Sequence, residues 1–212
     1  MRNLVILGAG GHGRELLDVL DAVNAAKPTW RFLGFLDDGD PPVEALDRRD
    51  TRVLGPVSAL ADIDAAYLIG IGQPETREQV EARASVNGRE AATLVHPLAS
   101  LGSDNTISPG VVLAAGARVT TNVHLGRHVH LNVGAVVSHD VLVADFVTLS
   151  PGSLVNGAAT VGPRVFLGTA AVVTPGCSIG GETWVGAGAV VVQDLPARVV
   201  ATGVPARVRR AR

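Results

Sequence analysis

Aliphatic residues recur at every sixth position from residue 101 to residue 191, and this spacing never slips. An α-helix has a hydrophobic period of 3.6 residues and a half-buried strand a period of two, so neither element produces the pattern. A short, fixed repeat is typical of a solenoid. The aliphatic positions are Leu101, Ile107, Leu113, Val119, Leu125, Leu131, Val137, Val143, Leu149, Val155, Val161, Leu167, Val173, Ile179, Val185 and Val191.

The repeat predicts a parallel β-helix. Each six-residue unit has one aliphatic side chain that it cannot bury alone, and stacked coils turn these side chains into internal ladders. Turn sequences such as Pro109-Gly110, Pro151-Gly152 and Pro175-Gly176 separate the short strands. Three units make a triangular coil of about 18 residues, so the stretch holds about five coils. A β-sandwich of short strands is the alternative, but sandwiches do not keep a six-residue frame over this length.

Residues 1–95 have a different pattern, which predicts a small Rossmann-like parallel α/β domain. A buried-type strand at residues 4–7 precedes a glycine-rich turn and an amphipathic helix at 14–23. Further strands are predicted at 32–36, which ends in Asp37-Asp38, and at 67–71, which contains Gly70. The solenoid domain then covers residues 96–212.

The glycine-rich turn, Gly8-Ala9-Gly10-Gly11-His12-Gly13, lets backbone N–H groups and a helix N-terminus approach an anion. Such a turn fits NAD, the nucleotide part of another ligand, or a purely structural role. A domain of fewer than 100 residues is too short for the two halves of a full dinucleotide-binding fold. The residues alone leave the three interpretations open.

Composition narrows the classes of function. The net charge is −2, which gives no broad basic surface for nucleic acid. The single cysteine, Cys177, lies at an inward-type position and is expected to be buried and inert. The sequence shows no signal peptide and no apolar stretch long enough to span a membrane, so we expect a cytoplasmic protein without membrane partners.

Among the six histidines, His139 has the pattern of a catalytic residue, because it lies at an outward turn position and Asp140 follows it directly. A carboxylate beside an imidazole fixes its tautomer and raises its basicity. His124, His128 and His130 are expected to be solvated side chains on the faces or corners of the solenoid. Convergence of these three at a subunit interface would instead indicate a metal site of the carbonic anhydrase kind.

Two parts of the solenoid carry a resemblance to a known family. The units Leu167–Val172 and Val185–Val190 resemble the hexapeptide repeat of left-handed β-helix acyltransferases, and Gly203-Val204-Pro205-Ala206-Arg207 resembles the closure after their last coil. Together with the N-terminal glycine-rich turn and Asp-Asp pair, the chain resembles sugar O-acyltransferases of the sialic acid O-acetyltransferase type. That group includes N-acetyltransferases of nucleotide-linked 4-amino-dideoxy sugars. The resemblance implies a left-handed β-helix, a homotrimer and acetyl-CoA as co-substrate, with no metal.

The resemblance also implies roles for individual residues. His139 is the general base and Asp140 its partner. The substrate-binding residues implied are Gly10, Gly11, His12, Gly13, Asp37, Asp38, Gly70 and Asn132. The cofactor-binding residues implied are Thr148, Gly157, Gly168, Thr169, Ala187, Pro205 and Arg207. The chain departs from the family twice, with Gly39 where a basic residue often follows the acidic pair and Thr148 where many relatives have a second histidine.

The predicted function is transfer of acetyl from acetyl-CoA to the amino group of a nucleotide-linked 4-amino-dideoxy sugar, by direct attack in a ternary complex. O-acetylation of a sugar hydroxyl, with the same fold and base, is one alternative. A non-catalytic binding or structural solenoid is another, although the His139-Asp140 pair argues against it. The identity of the nucleotide and of the sugar stays open at the level of the sequence.

Overall fold

The computed structural model describes residues 1–41 and 43–212. The chain divides into two compact units, Met1–Leu94 and Val95–Arg212. Within the described residues, no helix combines the length and the apolar character needed to cross a membrane.

The N-terminal unit is a four-stranded parallel sheet with helices between its strands. Its strands are β1 (Arg2–Leu7), β2 (Trp30–Leu36), β3 (Val53–Gly55) and β4 (Ala66–Ile69), and their order in the sheet is β3-β2-β1-β4. The buried side chains of β1 and β4 form much of its core, because both strands read as nearly continuous apolar runs. The helices of this unit are α1 (Gly11–Ala26), which follows β1, α2 (Val43–Asp47), which follows β2, and α3 (Pro74–Ala84), which follows β4. Two short 3₁₀ segments are present at Val57–Asp62 and Ser85–Asn87.

The C-terminal unit is a parallel β-helix with three faces. The six-stranded face contains β6 (Ser100–Leu101), β9 (Arg118–Val119), β12 (Val136–Val137), β15 (Leu154–Val155), β18 (Val172–Val173) and β21 (Val190–Val191). The five-stranded face contains β7 (Thr106–Ile107), β10 (His124–Leu125), β13 (Leu142–Val143), β16 (Thr160–Val161) and β19 (Ser178–Ile179).

The eight-stranded face ends in an antiparallel pair. It contains β5 (Leu94–Val95), β8 (Val112–Leu113), β11 (His130–Leu131), β14 (Thr148–Leu149), β17 (Phe166–Leu167), β20 (Trp184–Val185), β22 (Val199–Thr202) and β23 (Arg207–Ala211). Strand β23 runs antiparallel to β22, and the turn between them stacks on Val190 through the carbonyl of Gly203 and the N–H of Ala206.

The predicted ladders form the core of the β-helix. Leu113 and the later members of the aliphatic series are buried, as is the second column of small residues that includes Ala117, Ala135 and Ala171. Each fully buried valine or leucine contributes about 1.5–3 kcal/mol relative to an exposed one. The exceptions are Leu101, at 44% exposure, and Ile107, which is half-buried, because their strands are the outermost of the six-stranded and five-stranded faces. The predicted α/β domain followed by a parallel β-helix is therefore confirmed.

Two histidines expected to be solvated are buried. His128 is fully buried, where its ring stacks on Phe146 with centroids 5.4 Å apart and planes 7° apart. The ring also occupies the space beside Gly110, where an added Cβ would lie 2.3 Å from Nδ1. His130 is fully buried on the eight-stranded face between Val112 and Thr148. The prediction was wrong here because the six-residue period locates turns and ladders but not what covers an outward side chain.

Candidate active site

The three faces of the β-helix form a triangular prism. His139 lies on one edge of this prism, at the turn that joins the six-stranded face to the five-stranded face. Turns of successive coils stack there through backbone hydrogen bonds. The N–H of Asp140 donates to the Thr121 carbonyl at 3.2 Å, and the N–H of Ala158 donates to the His139 carbonyl at 2.9 Å. We call this line of turns the His139 edge. Because each coil repeats the same turn, residues 18 positions apart in the sequence lie side by side.

Asp140 fixes the orientation and tautomer of the imidazole. Its Oδ2 lies 2.7 Å from His139 Nδ1. Two hydrogen bonds lower the pKa of Asp140: the larger effect comes from the Asn122 amide and the smaller from His139. Asp140 is therefore an ionised carboxylate, which can only accept hydrogen bonds. Nδ1 therefore carries the proton, and Nε2 is left as the basic atom. The His139 side chain is 62% exposed, which leaves it accessible to a substrate.

Asn122 is a site residue that sequence reasoning missed. Its Nδ2 donates to Asp140 Oδ1 at 2.7 Å, so the second carboxylate oxygen is also fixed. Asn122 precedes Asp140 by one full coil and occupies the same turn position, with φ 55° against 61°. The signal for Asn122 in the sequence is its position 18 residues before Asp140, because residues one coil apart lie side by side. The sequence next to His139 contains no such signal.

Gly157 leaves room for the His139 ring. A Cβ at Gly157 would lie 2.4 Å from His139 Cε1 and 2.5 Å from Nε2. The Gly157 carbonyl accepts the N–H of Gly176, whereas among the hydrogen bonds of residues 1–41 and 43–212 its own N–H has no acceptor. The predicted donor for a thioester oxyanion is thus beside the predicted base.

Of the seven predicted substrate-binding residues in the N-terminal unit, all but Gly13 line one cavity of about 570 Å³. They follow the carboxyl ends of β1, β2 and β4, which are neighbours in the sheet. Gly10 caps α1 and Gly11 begins it, and a Cβ on either would meet open space. The predicted residues that line the cavity are Gly10, Gly11, His12, Asp37, Asp38 and Gly70.

Gly13 has a packing role and does not line the cavity. A Cβ there would lie 1.9 Å from the carbonyl oxygen of Gly8, so only glycine lets α1 approach the end of β1. His12, on the first turn of α1, lies with Nδ1 3.1 Å from Glu15 Oε2, and this contact lowers the pKa of Glu15. The glycine-rich turn therefore combines an open wall with a tight helix–strand contact.

The Asp37-Asp38 pair is held rigidly. Asp37 accepts the backbone N–H of Ala9 at 2.6 Å and of Gly39 at 2.8 Å. Asp38 accepts the N–H of Val57 at 2.9 Å and pairs with Arg83 at 2.7 Å. The pKa of Asp38 is lowered mainly by the Arg83 guanidinium and to a smaller extent by the Val57 N–H. Both carboxylates thus meet the cavity in fixed orientations.

A second cleft of about 270 Å³ opens on the β-helix. Gly168, Thr169 and Ala187, which are predicted cofactor residues, line it together with Phe166 and Trp184, whose rings stack at 4.9 Å. Thr148, on the same face, is 1% exposed and is not among the lining residues.

The remaining predicted residues lie outside this cleft and away from His139. Pro205 and Arg207 follow the last parallel coil, and both are exposed. Asn132 is half-buried, and its N–H donates to the Leu149 carbonyl. It precedes the turn between the eight-stranded and six-stranded faces, where Thr169 and Ala187 also lie in later coils. We call this line of turns the Thr169 edge.

One chain does not bring all the predicted residues together. The six-stranded face separates the His139 edge from the Thr169 edge. The carbonic anhydrase arrangement is not supported, since His124 is on the five-stranded face, His128 at a turn and His130 on the eight-stranded face. In the described part of the chain, no three His, Cys, Asp or Glu side chains are grouped as metal ligands.

Known proteins are similar to this chain in both of its units. Residues 3–84 match the PglD N-terminal domain family. A mutant of perosamine N-acetyltransferase from Caulobacter crescentus, solved in complex with CoA and GDP-perosamine, superimposes with a TM-score of 0.89 at 30% identity, over 98% of this chain and 97% of that one. The acetyltransferase domain of PglB from Neisseria gonorrhoeae, solved with acetyl coenzyme A, gives 0.88 at 29% identity, over 98% and 99%.

Among curated proteins, UDP-N-acetylbacillosamine N-acetyltransferase of Bacillus subtilis is 35% identical over 120 residues, which is 54% of this chain and 52% of that protein. The chain spans about half the length of the curated relatives it matches. These relatives are named as N-acetyltransferases, so the narrower resemblance to the sialic acid O-acetyltransferase type is not supported. The chain belongs to the family of nucleotide-sugar N-acetyltransferases that join a PglD N-terminal domain to a parallel β-helix.

Proposed function

We propose that the protein transfers the acetyl group of acetyl-CoA to the amino group of a nucleotide-linked 4-amino-dideoxy sugar. The observation that supports this most directly is the His139 imidazole. Its Nδ1 is held by Asp140 at 2.7 Å, its Nε2 lies beside Gly157, and its side chain is 62% exposed. An exposed basic nitrogen with a fixed tautomer is suited to accept a proton from an attacking amine.

The reaction needs one proton acceptor and one oxyanion donor. The amine nitrogen attacks the thioester carbonyl carbon and forms the C–N bond, while His139 Nε2 takes the amine proton. The Gly157 N–H donates to the oxygen that becomes negative in the tetrahedral intermediate. When the C–S bond breaks, the CoA sulfur leaves with the electron pair and takes the proton from His139 Nε2, which returns the imidazole to its neutral form. No acyl-enzyme is involved, because Cys177 is buried.

The N-terminal cavity binds the nucleotide of the acceptor sugar. Open backbone at Gly10 and Gly11, next to the N-terminus of α1, suits the phosphates. Asp37 and Asp38 suit the base and ribose, because carboxylates accept hydrogen bonds from their N–H and O–H groups. The cleft beside Gly168, Thr169 and Ala187 binds the pantetheine arm of acetyl-CoA, and Arg207 binds a phosphate of CoA.

The active form is a homotrimer. A single chain keeps the His139 edge and the Thr169 edge apart. A three-fold ring pairs one surface of each subunit with a different surface of its neighbour, and we propose that these two surfaces are the two edges. Three equivalent sites would result, each with the base of one subunit and the cofactor cleft of its neighbour. Light scattering at micromolar concentration should give the mass of a trimer, and a fully active monomer would contradict this assembly.

Release of CoA thiol in the presence of amino-sugar nucleotides tests the activity. Purified protein is mixed with acetyl-CoA and with UDP-, GDP- or dTDP-linked 4-amino-4,6-dideoxy sugars, and matched 4-hydroxy sugars serve as controls. We expect thiol release only with an amino sugar. Release with the hydroxyl sugar alone would replace N-acetylation by O-acetylation, and no release with any acceptor would refute the proposal.

A further inference from the structure

One face of helix α3 forms a wall of the N-terminal cavity. Thr76, Gln79, Val80 and Arg83 are spaced as i, i+3, i+4 and i+7, and all four line the cavity. The substrate contacts predicted for this unit came from the glycine-rich turn, the Asp37-Asp38 pair and Gly70, and none came from α3. The last of the four residues, Arg83, adds a positive group next to the acidic pair.

Arg83 places a cation against Asp38, whereas the residue that follows Asp38 in the sequence, Gly39, has no side chain. Its Nη1 lies 2.7 Å from Asp38 Oδ2, although the two residues are 45 positions apart in the chain. The side chains are 51% and 41% exposed, so both present polar atoms to a ligand in the cavity. Within the described residues, Nη1 is the only nitrogen of the Arg83 guanidinium that donates a hydrogen bond. Its Nε and Nη2 are therefore available to a ligand.

The pair presents an acceptor beside a donor. Asp38 is held in place by the Val57 N–H, which its Oδ1 accepts at 2.9 Å, and its oxygens have further lone pairs for a ligand. Apolar side chains of Val57, Ile71 and Val80 line the same cavity, and they suit the flat faces of a heteroaromatic ring. Polar atoms at one end and apolar walls beside them are the usual composition of a site that orients a base.

We propose that Asp38 and Arg83 together recognise the guanine base of a guanosine diphosphate sugar. Guanine has two adjacent donors, N1–H and the N2 amino group, that match the two oxygens of one carboxylate. Its O6 acceptor lies next to N1–H, where the Arg83 guanidinium donates to it. Uracil has a single ring donor, and adenine has an acceptor at N1 that would face the carboxylate. The inference rests on the proposed nucleotide-sugar substrate and specifies its base.

Direct binding of GDP, UDP and ADP to the full chain, measured by calorimetry without acetyl-CoA, tests the inference. We expect GDP to bind the unaltered protein at least about tenfold more tightly than UDP or ADP. Arg83→Leu should raise the Kd of GDP about tenfold to a hundredfold, the usual range for loss of a specific base contact. The Kd of UDP should change less than about threefold, because its phosphates bind at the glycine-rich turn.

Two further variants separate base recognition from charge and from folding. Arg83→Lys keeps the charge but loses the planar fork, so the GDP preference should fall to an intermediate value. Arg49 makes ion pairs with Asp18 and Asp21 and is absent from the cavity lining. Arg49→Leu should therefore leave the Kd values of both nucleotides unchanged. Melting curves without nucleotide show that each variant is folded.

Equal or tighter binding of UDP by the unaltered protein would overturn the inference, and so would an Arg83→Leu variant that loses GDP and UDP in the same proportion. The second result would mean that Arg83 attracts the phosphates. The proposed acetyl transfer would survive either result if CoA were released with another nucleotide sugar. Conversely, a protein that binds GDP selectively but releases no CoA with any amino sugar would refute the activity and leave the base assignment intact.

Discussion

Replacement of Gly157 by alanine should displace the proposed base without disturbing the fold. The new methyl group would lie 2.4 Å from His139 Cε1, so the ring must withdraw by roughly 1 Å to reach van der Waals contact. The ring has solvent on one side into which it can be pushed, since the side chain is 62% exposed, and this movement strains its 2.7 Å contact with Asp140. The backbone at Gly157 is outside the left-handed region, so alanine fits there without backbone strain.

The expected cost follows from the displacement. A misplacement of about 1 Å at a reacting group lowers the rate by roughly 100-fold, which equals about 2.7 kcal/mol of transition-state stabilisation. The melting temperature should stay the same or rise slightly, since Gly→Ala at a compatible position stabilises by about 0.4–1 kcal/mol. The Gly157 N–H is retained, so the oxyanion donor is chemically unchanged. Steady-state CoA release gives kcat, and thermal unfolding gives the stability.

A double-mutant cycle with His139→Ala provides the control. Once the imidazole is gone, the added methyl group has nothing to displace, so the double variant should be no slower than His139→Ala alone. His139→Ala itself should lower kcat by roughly two orders of magnitude or more. An unchanged kcat in Gly157→Ala, or losses that multiply in the double variant, would refute the assignment of His139 as the base.

Four further outcomes are expected. Asn122→Ala should lower kcat about tenfold, because Asp140 loses the contact that fixes its second oxygen. It should also raise the pKa of Asp140 toward its ordinary value, since the Asn122 amide is the main cause of the lowered pKa; an NMR titration that finds this pKa unaltered would contradict the prediction. Gly11→Val should fold, since its Cβ meets open space, yet raise KM for the sugar nucleotide far more than for acetyl-CoA. Gly110→Ala should destabilise the fold by about 1–3 kcal/mol in denaturant titrations, because its φ is +79° and the His128 ring fills the space. CoA should change the fluorescence of Trp184, which lines the β-helix cleft, and Trp184→Phe should abolish that signal.

The repeat could be predicted from the sequence because each unit buries one side chain in the same way. The period of six located the ladders from Leu113 onward. In the N-terminal unit the strong apolar runs were found, with the first predicted helix extending to Gly11–Ala26, whereas α2 and β3 were missed. Those two elements have five and three residues, too few to show a hydrophobic period.

The candidate site was predictable only where its residues are neighbours in the sequence. His139 and Asp140 are adjacent, so their pairing was visible from the sequence. Asn122 joins them through the stacking of two coils, and Arg83 meets Asp38 through the packing of α3 beside the sheet. Contacts of this kind depend on tertiary structure, and no local propensity records them.

The proposed catalytic group is distributed over three successive coils: Asn122 in the first, His139 and Asp140 in the second, and Gly157 in the third. Its geometry is therefore set by the length of the coil as much as by the identity of the residues. Loss of a whole coil elsewhere in the stack would leave the group intact and shorten the prism. Loss of a single six-residue unit between Gly157 and Thr169 would carry every later turn to the preceding edge, and so misplace the cofactor cleft while leaving the base untouched. In this protein, insertions and deletions within the β-helix are expected to be tolerated only in multiples of one full coil of about 18 residues.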